Sequence, residues 1–224
     1  MTGVLNKIEI PNYTRGEEIF NMTSHIVGGA VGIAATVLCV VFAALHGSVY
    51  GVVSGAVYGA MMIVLYSMSS IYHGLHADLK AKKVFRILDH CAIFLLIAGT
   101  YTPLTLCTVR EQNAALGWTV FGIEWGLAAL GITLNSIDMK RFKRLSMLLY
   151  LGLGWCVVFT APTLIAAMPA GGLWLLLCGG IAYTVGAALY AAGKKHAYIH
   201  SVFHLFVLVG SILHFLCILF YVIM

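Results

Sequence analysis

Five polar residues set in apolar stretches carry the chemistry this chain could perform. Ser69 and His73 lie four residues apart at the end of one apolar run, Asp89 lies just inside the next, and His200 and His204 form a second four-residue pair at the start of the last. Residues at i and i+4 share a helix face, so each pair is stacked one turn apart. Two histidines from one helix and a third from a distant one can supply the three nitrogen ligands of a catalytic zinc site, with a fourth position open to water. Asp89 could then accept a hydrogen bond from that water or act as general base, with Ser69 orienting a ligand or substrate. Spacing alone leaves a second reading at even weight. An H-x-x-x-H pair arises easily by chance on an apolar helix, and hydrogen-bonded core histidines without a metal fit the same pattern.

These residues must be positioned by membrane helices. The chain is 61% hydrophobic and only 9% charged, with a mean hydropathy of +0.97, far from the soluble average, where about a quarter of residues are charged. Seven apolar runs are expected at about 24–46, 51–74, 87–108, 115–136, 145–166, 171–192 and 199–222, each long enough for the roughly 20 residues that a bilayer core demands. The expected fold is therefore all-α, an integral membrane bundle of seven transmembrane helices. Residues 1–22 form a polar N-terminal cytoplasmic segment and residues 23–224 the transmembrane domain. That segment lacks the apolar core and cleavage site of a signal peptide, so it is expected to be retained.

Charge orients the bundle. Lys7 and Arg15 precede the first run, Lys80, Lys82, Lys83 and Arg86 separate runs two and three, Lys140, Arg141, Lys143 and Arg144 separate four and five, and Lys194 and Lys195 separate six and seven. Twelve of the thirteen Lys and Arg thus fall on one side, with Arg110 alone on the other, which makes that side cytoplasmic and leaves the C-terminus outside. These cations read as topology anchors, and the net charge of +5 needs no nucleic-acid partner. On this topology Ser69, His73, Asp89, His200 and His204 lie at similar depth under the cytoplasmic surface. An ionisable group within a span costs about 2.5–3.5 kcal/mol on insertion scales, so each asks for a partner or a purpose.

The other notable residues have structural readings. The six cysteines stand singly, without the paired spacing of a disulfide framework or a cysteine zinc site. Gly28, Gly29 and Gly32, and the series Gly51, Gly55 and Gly59, form small faces for close helix approach or homo-oligomerisation. Pro103 and Pro162 are expected to kink their helices. Trp118, Trp125, Trp155 and Trp174 either mark interfaces or fill core. His90 faces about 100° away from Asp89 on its helix, and His46 and His196 are loop or interface residues. His214 should bond another helix, with mid-membrane Glu124 as a partner at similar depth. Glu18, Asn21 and His25 would share one face of a helix, lining or closing the cavity; the plainer reading has Glu18 and Asn21 begin and cap the first helix, with Thr23 or Ser24 as alternative caps.

Taken in order, Glu18-x-x-Asn21-x-x-x-His25, Ser69-x-x-x-His73, Asp89 after a short basic turn, and His200-x-x-x-His204 resemble the signature of the hemolysin III proteins. These are grouped with the progestin and adipoQ receptors, among them the adiponectin receptors. The resemblance runs from about Glu17 to the C-terminus. It implies a seven-helix bundle with a cytoplasmic N-terminus and one Zn²⁺ per chain held by His73, His200 and His204, with Asp89 contacting the zinc-bound water and Ser69 nearby. Through related alkaline ceramidases it implies a membrane lipid as substrate or ligand, and hydrolysis of a lipid amide or ester. Two alternatives stand beside this: a non-enzymatic sensor of membrane state with structural zinc, and the cytolysin that the family name suggests. A multi-pass protein of a bacterial plasma membrane is the expected setting.

Overall fold

A computed structural model of the protein describes residues 5–6, 8–192 and 197–224; Lys7, Lys194, Lys195 and His196 lie outside these described residues. The described chain is helical, without strands. Its principal helices are α1 (Arg15–Leu45), α2 (Val49–Gly74), α3 (Lys80–Pro103), α4 (Ala114–Gly154), α5 (Val157–Ala167), α6 (Ala170–Ala192) and α7 (Ile199–Ile218). Six helical stretches are long and apolar enough to cross a membrane, because Ala114–Ala167 counts as a single stretch of 54 residues. The expected fourth and fifth runs both lie within it.

That stretch is not straight. At 1.5 Å per residue, 54 residues would reach about 80 Å, well beyond a hydrocarbon core of roughly 30 Å. Asp138 breaks the helix with extended backbone (φ −159°, ψ 88°). Its carboxylate then accepts from the Arg141 backbone N–H at 3.0 Å, capping the limb that follows. Ser146 donates to Asn135 Oδ1 at 2.6 Å, and Asn135 Nδ2 donates to the Tyr150 hydroxyl at 3.3 Å. Residues eleven and fifteen positions apart can meet in this way only if the second limb folds back along the first. Tyr150 also donates to the His90 carbonyl at 2.7 Å, joining both limbs to α3.

Helix α3 is the centre of the bundle. Within its most apolar window 83% of residues are buried, against 22 to 44% for the other five stretches. Past Pro103 it continues as a π-helix, Leu104–Val109, in keeping with a proline that cannot donate the helical hydrogen bond. Pro162 lies inside α5, while the break before that helix falls at Trp155 and Cys156. Helix α2 packs on both α1 and α3, α4 on α3, α6 on α7, and α7 returns to α1.

Pairing of α1 with α2 rests on the glycines. A methyl group at Gly28 would meet the Tyr66 ring at 2.4 Å, one at Gly32 the Ile63 backbone at 3.1 Å, one at Gly59 the Thr36 Cα at 2.6 Å, and one at Gly55 the Cys39 Cβ at 2.8 Å. The partners run in opposite directions along the two helices, so α1 and α2 are antiparallel, and each supplies glycines where the other supplies bulk. Helix α1 begins earlier than its apolar run. Thr14 caps it, accepting from Glu17 N at 3.3 Å while the Glu17 carboxylate accepts from Thr14 N at 2.8 Å, a reciprocal capping box. The expected caps at Glu18 and Asn21, or at Thr23 or Ser24, are therefore corrected. Thr23 and Ser24 lie mid-helix, with their hydroxyls turned back onto carbonyls of the preceding turn.

The tryptophans divide by position. Trp118 and Trp174 are exposed on the bundle surface, whereas Trp125 donates to Thr102 and Trp155 to Thr184 between helices. All six cysteines are free thiols: four are buried, Cys107 is half-buried and Cys178 is exposed.

The glycine pairing yields a stability prediction. Gly59→Ala should destabilise the purified protein by roughly 1–3 kcal/mol, as overpacking does. Gly126→Ala, where an added methyl meets nothing within 4 Å, should leave the melting temperature unchanged or slightly raised. Equal melting temperatures for the two variants would show that the interlock contributes nothing.

Candidate metal centre

The ends of α2 and α7 bring the three histidines together. His73, from the last turn of α2, meets His200 and His204, from the first turns of α7, with one potential ligand atom from each lying within 4.8 Å of the others. His200 Nε2 and His204 Nε2 are 3.0 Å apart. His73 Nε2 and His204 Nδ1 are buried without a hydrogen-bond partner among the described residues. Two imidazole lone pairs facing each other at this distance repel unless a proton or a cation lies between them. The convergent nitrogens, one of them orphaned, therefore fit a cation.

His73 is held by a group that sequence reasoning placed on the correct face without assigning it this role. Its Nδ1–H donates to Glu18 Oε2 at 2.5 Å, which fixes the tautomer and leaves the Nε2 lone pair for the cluster. The other carboxylate oxygen, Oε1, accepts from Lys82 Nζ at 2.6 Å. Lys82 is 2% exposed, also donates to the Leu75 carbonyl, and lies over the Tyr72 ring. The reading of Lys82 as a mere topology anchor is therefore corrected. A count of cations by loop cannot tell a solvated lysine from one drawn inward by a carboxylate sixty-four positions away.

Asn21 and His25 share the Glu18 face of α1, as their spacing predicts. Both are buried, and none of their side-chain polar atoms has a hydrogen-bond partner among the described residues. The His25 ring stacks on His204 at 3.9 Å between centroids and meets Tyr66 edge-on. At the start of the chain, Tyr13 stacks on His200 at 4.9 Å. Burial raises its phenol above the ordinary range, with the neighbouring Tyr72 and Tyr190 adding to the effect, so Tyr13 is a neutral cover. Glu17 Oε1 accepts from the Tyr198 backbone N–H at 2.8 Å, fastening the start of α1 to the start of α7. Sequence reasoning missed Tyr13. An aromatic residue in a polar leader gives no periodic signal.

A cavity of about 160 Å³ opens beside the cluster. Its lining includes Ser69, Asp89, His25, His200 and His204, many apolar side chains such as Leu65, Ile93, Leu96 and Leu151, and the polar Thr100, Thr184 and His214. Ser69 is 1% exposed. His90 borders the same cavity, but both its ring nitrogens are engaged, Nδ1 with the Arg86 carbonyl at 2.9 Å and Nε2 with the Tyr190 hydroxyl at 3.3 Å. His214 bonds another helix as expected, through Nε2 to the Leu176 carbonyl of α6 at 3.0 Å. Its expected pairing with Glu124 is not made. Both Glu124 oxygens lack a hydrogen-bond partner among the described residues, and the acid lies against Cys156 instead.

Comparison with known proteins identifies the family. The family model described as "Haemolysin-III related" matches residues 13–215. The chain is 42% identical over 206 residues to Hemolysin-3 of Bacillus cereus, covering 92% of each protein. It is 39% identical over 209 residues to a Hemolysin-3 homolog of Bacillus subtilis, covering 93% of this chain and 96% of that one. More distantly, it is 24% identical over 163 residues to the human monocyte to macrophage differentiation factor, covering 69% of this chain and 64% of that protein. A helical membrane chain with these histidines, matched over nearly its whole length, belongs to the haemolysin-III-related family.

Proposed function

We propose that the protein is a zinc-dependent hydrolase of a lipid amide or ester, with His73, His200 and His204 holding the ion. The convergence of three histidines beside a largely apolar cavity carries this reading. Zinc there would supply Lewis acidity toward a carbonyl oxygen. The chain's own residues do the rest. Asp89 accepts a proton from the attacking water, Ser69 orients the reacting group, and Glu18 with Lys82 keeps His73 in one tautomer. The apolar end of the cavity takes an acyl chain and excludes water around it. Water adds across the C–N or C–O bond, leaving a carboxylic acid and an amine or alcohol. A second reading, structural metal in a sensor of membrane state, draws on the fact that the cluster and its supports tie together α1, α2, α3 and α7. The relatives' name speaks of haemolysis, a role in which the buried histidines have no part.

The same proposal extends to topology. Counting the two limbs around Asp138 as separate crossings gives seven spans, places the N-terminus in the cytoplasm and the C-terminus outside, and fits a bacterial plasma membrane. Seven crossings put the termini on opposite faces, and six would put them together. An alkaline phosphatase fused to the C-terminus should be active and a fluorescent protein fused there dark. The reverse pattern would overturn the orientation.

Elemental analysis of the purified protein should find about one zinc per chain, lost in His73→Ala and His204→Ala. Asp89→Ala should keep metal and fold while losing roughly 10²–10⁴-fold in turnover of a lipid amide. A zinc-free wild type whose histidine variants are equally stable would end the metal reading. A zinc-loaded protein that cleaves no lipid amide or ester would leave only the structural one.

The Glu18 bridge can be tested separately. Glu18→Ala should weaken zinc retention against a chelator by roughly 10- to 100-fold, as loss of a supporting carboxylate commonly does. Glu18→Gln, which keeps an acceptor for His73, should lose less. Retention unchanged in Glu18→Ala would show that His73 orients itself.

A further inference from the structure

Arg86 is a cationic side chain near the site whose buried N–H groups no described residue binds. It is half-buried, and its Nε and Nη1 are shielded from solvent with no hydrogen-bond partner among the described residues. Nearby carboxylates do not serve it. Both oxygens of Glu18 are taken, by His73 and by Lys82, and Asp89 makes no hydrogen bond to the Arg86 Nε or Nη1, its Oδ2 lying 3.5 Å from His90 Nδ1. A guanidinium with buried, unpaired N–H groups is costly unless something arrives to bind them.

Its position says what could arrive. Arg86 precedes Asp89 by three residues, so it lies one turn nearer the start of α3 and roughly on the same face. Its carbonyl holds His90, and His90 meets Tyr190; both rings border the cavity. The guanidinium is within electrostatic reach of the Tyr13, Tyr72 and Tyr190 hydroxyls. The cavity is largely apolar, His200 and His204 line it, and the Arg86 guanidinium lies outside that lining, one turn nearer the start of α3 than Asp89, which does line it. A lipid whose acyl chain fills the apolar part and whose amide or ester reaches the histidines would project its remaining head group toward Arg86.

We propose that Arg86 is an anion-binding group at the mouth of the cavity, and that the lipid accepted there carries an oxyanion on its head group. This rests on the reading of the cavity as a lipid site, and it narrows the substrate class from any lipid amide or ester to an anionic one. Arginine suits the role because its planar fork binds an oxyanion through two parallel hydrogen bonds.

Two probes isolate the charge: N-oleoylglycine and N-oleoylethanolamine share the chain and the amide and differ in bearing a carboxylate or a hydroxyl. Each is titrated into the zinc-loaded protein in a neutral detergent, with binding read from the shift in melting temperature and turnover measured separately. The wild type should bind N-oleoylglycine about tenfold more tightly, the size expected for a hydrogen bond to a charged group. Arg86→Gln should abolish the preference and Arg86→Lys retain part of it, with zinc content reporting that both variants are folded. Equal affinity for the two probes in the wild type, a preference that survives in Arg86→Gln, or no binding of N-oleoylglycine would each overturn the inference. The preference without turnover of either probe would sink hydrolysis and leave the anion site standing, whereas turnover without the preference would do the opposite.

Discussion

The structure depends on one half-buried carboxylate. Glu18 joins His73 of α2 to Lys82 of α3 from its own place on α1, so a single side chain sets the mutual position of three helices and the direction of one imidazole nitrogen of the cluster. Charges taken out of water are repaid only when every lone pair finds a donor, and here both oxygens do. The arrangement explains why Lys82 can be buried at all in a turn whose other residues, from His76 to Ala81, are exposed. Losing Glu18 would leave Lys82 as an uncompensated buried charge, a defect that in proteins generally costs about 3–5 kcal/mol.

That bridge is possible only because α1 and α2 approach closely. Glycines alternate between the two helices, facing Tyr66 and Ile63 at one end and Thr36 and Cys39 at the other. In a membrane there is little hydrophobic drive between helices, and close backbone approach supplies the packing. The resulting register directs the Glu18, Asn21 and His25 face toward the end of α2, where His73 waits. The Thr14 and Glu17 capping box extends α1 past its apolar run so that it carries Glu18 at all. A polar leader that would otherwise be a loop is thereby made part of the site, with Tyr13 laid over His200.

How much of this was legible in the residues follows from the kind of signal each leaves. His73, His200 and His204 were readable because helical period and similar depth are properties of the sequence itself, and the structure brings them together. The shared face of Glu18, Asn21 and His25 was readable for the same reason. The pairing of Lys82 with Glu18 was not, since nothing local marks which cation of a basic turn folds inward. Depth also misled in one case: Glu124 and His214 lie in comparable parts of their runs, yet the hydrogen bond of His214 goes to a backbone carbonyl of the neighbouring α6. Depth fixes one coordinate in a bundle, and rotation about each helix axis fixes the other. The reversal at Asp138 lay in a stretch whose charges mark a loop, though the helical hydrogen bonds run nearly through it.

The location of the site near helix ends has a chemical logic of its own. The hydrolysis proposed for it would need a water molecule, ionised side chains to manage its proton, and an apolar sleeve for the part of a lipid that does not react. Deep in the bilayer the first two are expensive, by roughly 2.5–3.5 kcal/mol for each charge on insertion scales, and at the surface the third is absent. Placing the histidines within the first turns of α7 and the last turn of α2 puts them where Glu18 and Lys82 can be charged, while the cavity beyond runs inward past Leu96 and Leu151. The His25 ring nitrogens and the Ser69 hydroxyl, without hydrogen-bond partners among the described residues, border this cavity, where a polar group of a bound molecule would meet them and the apolar wall could not.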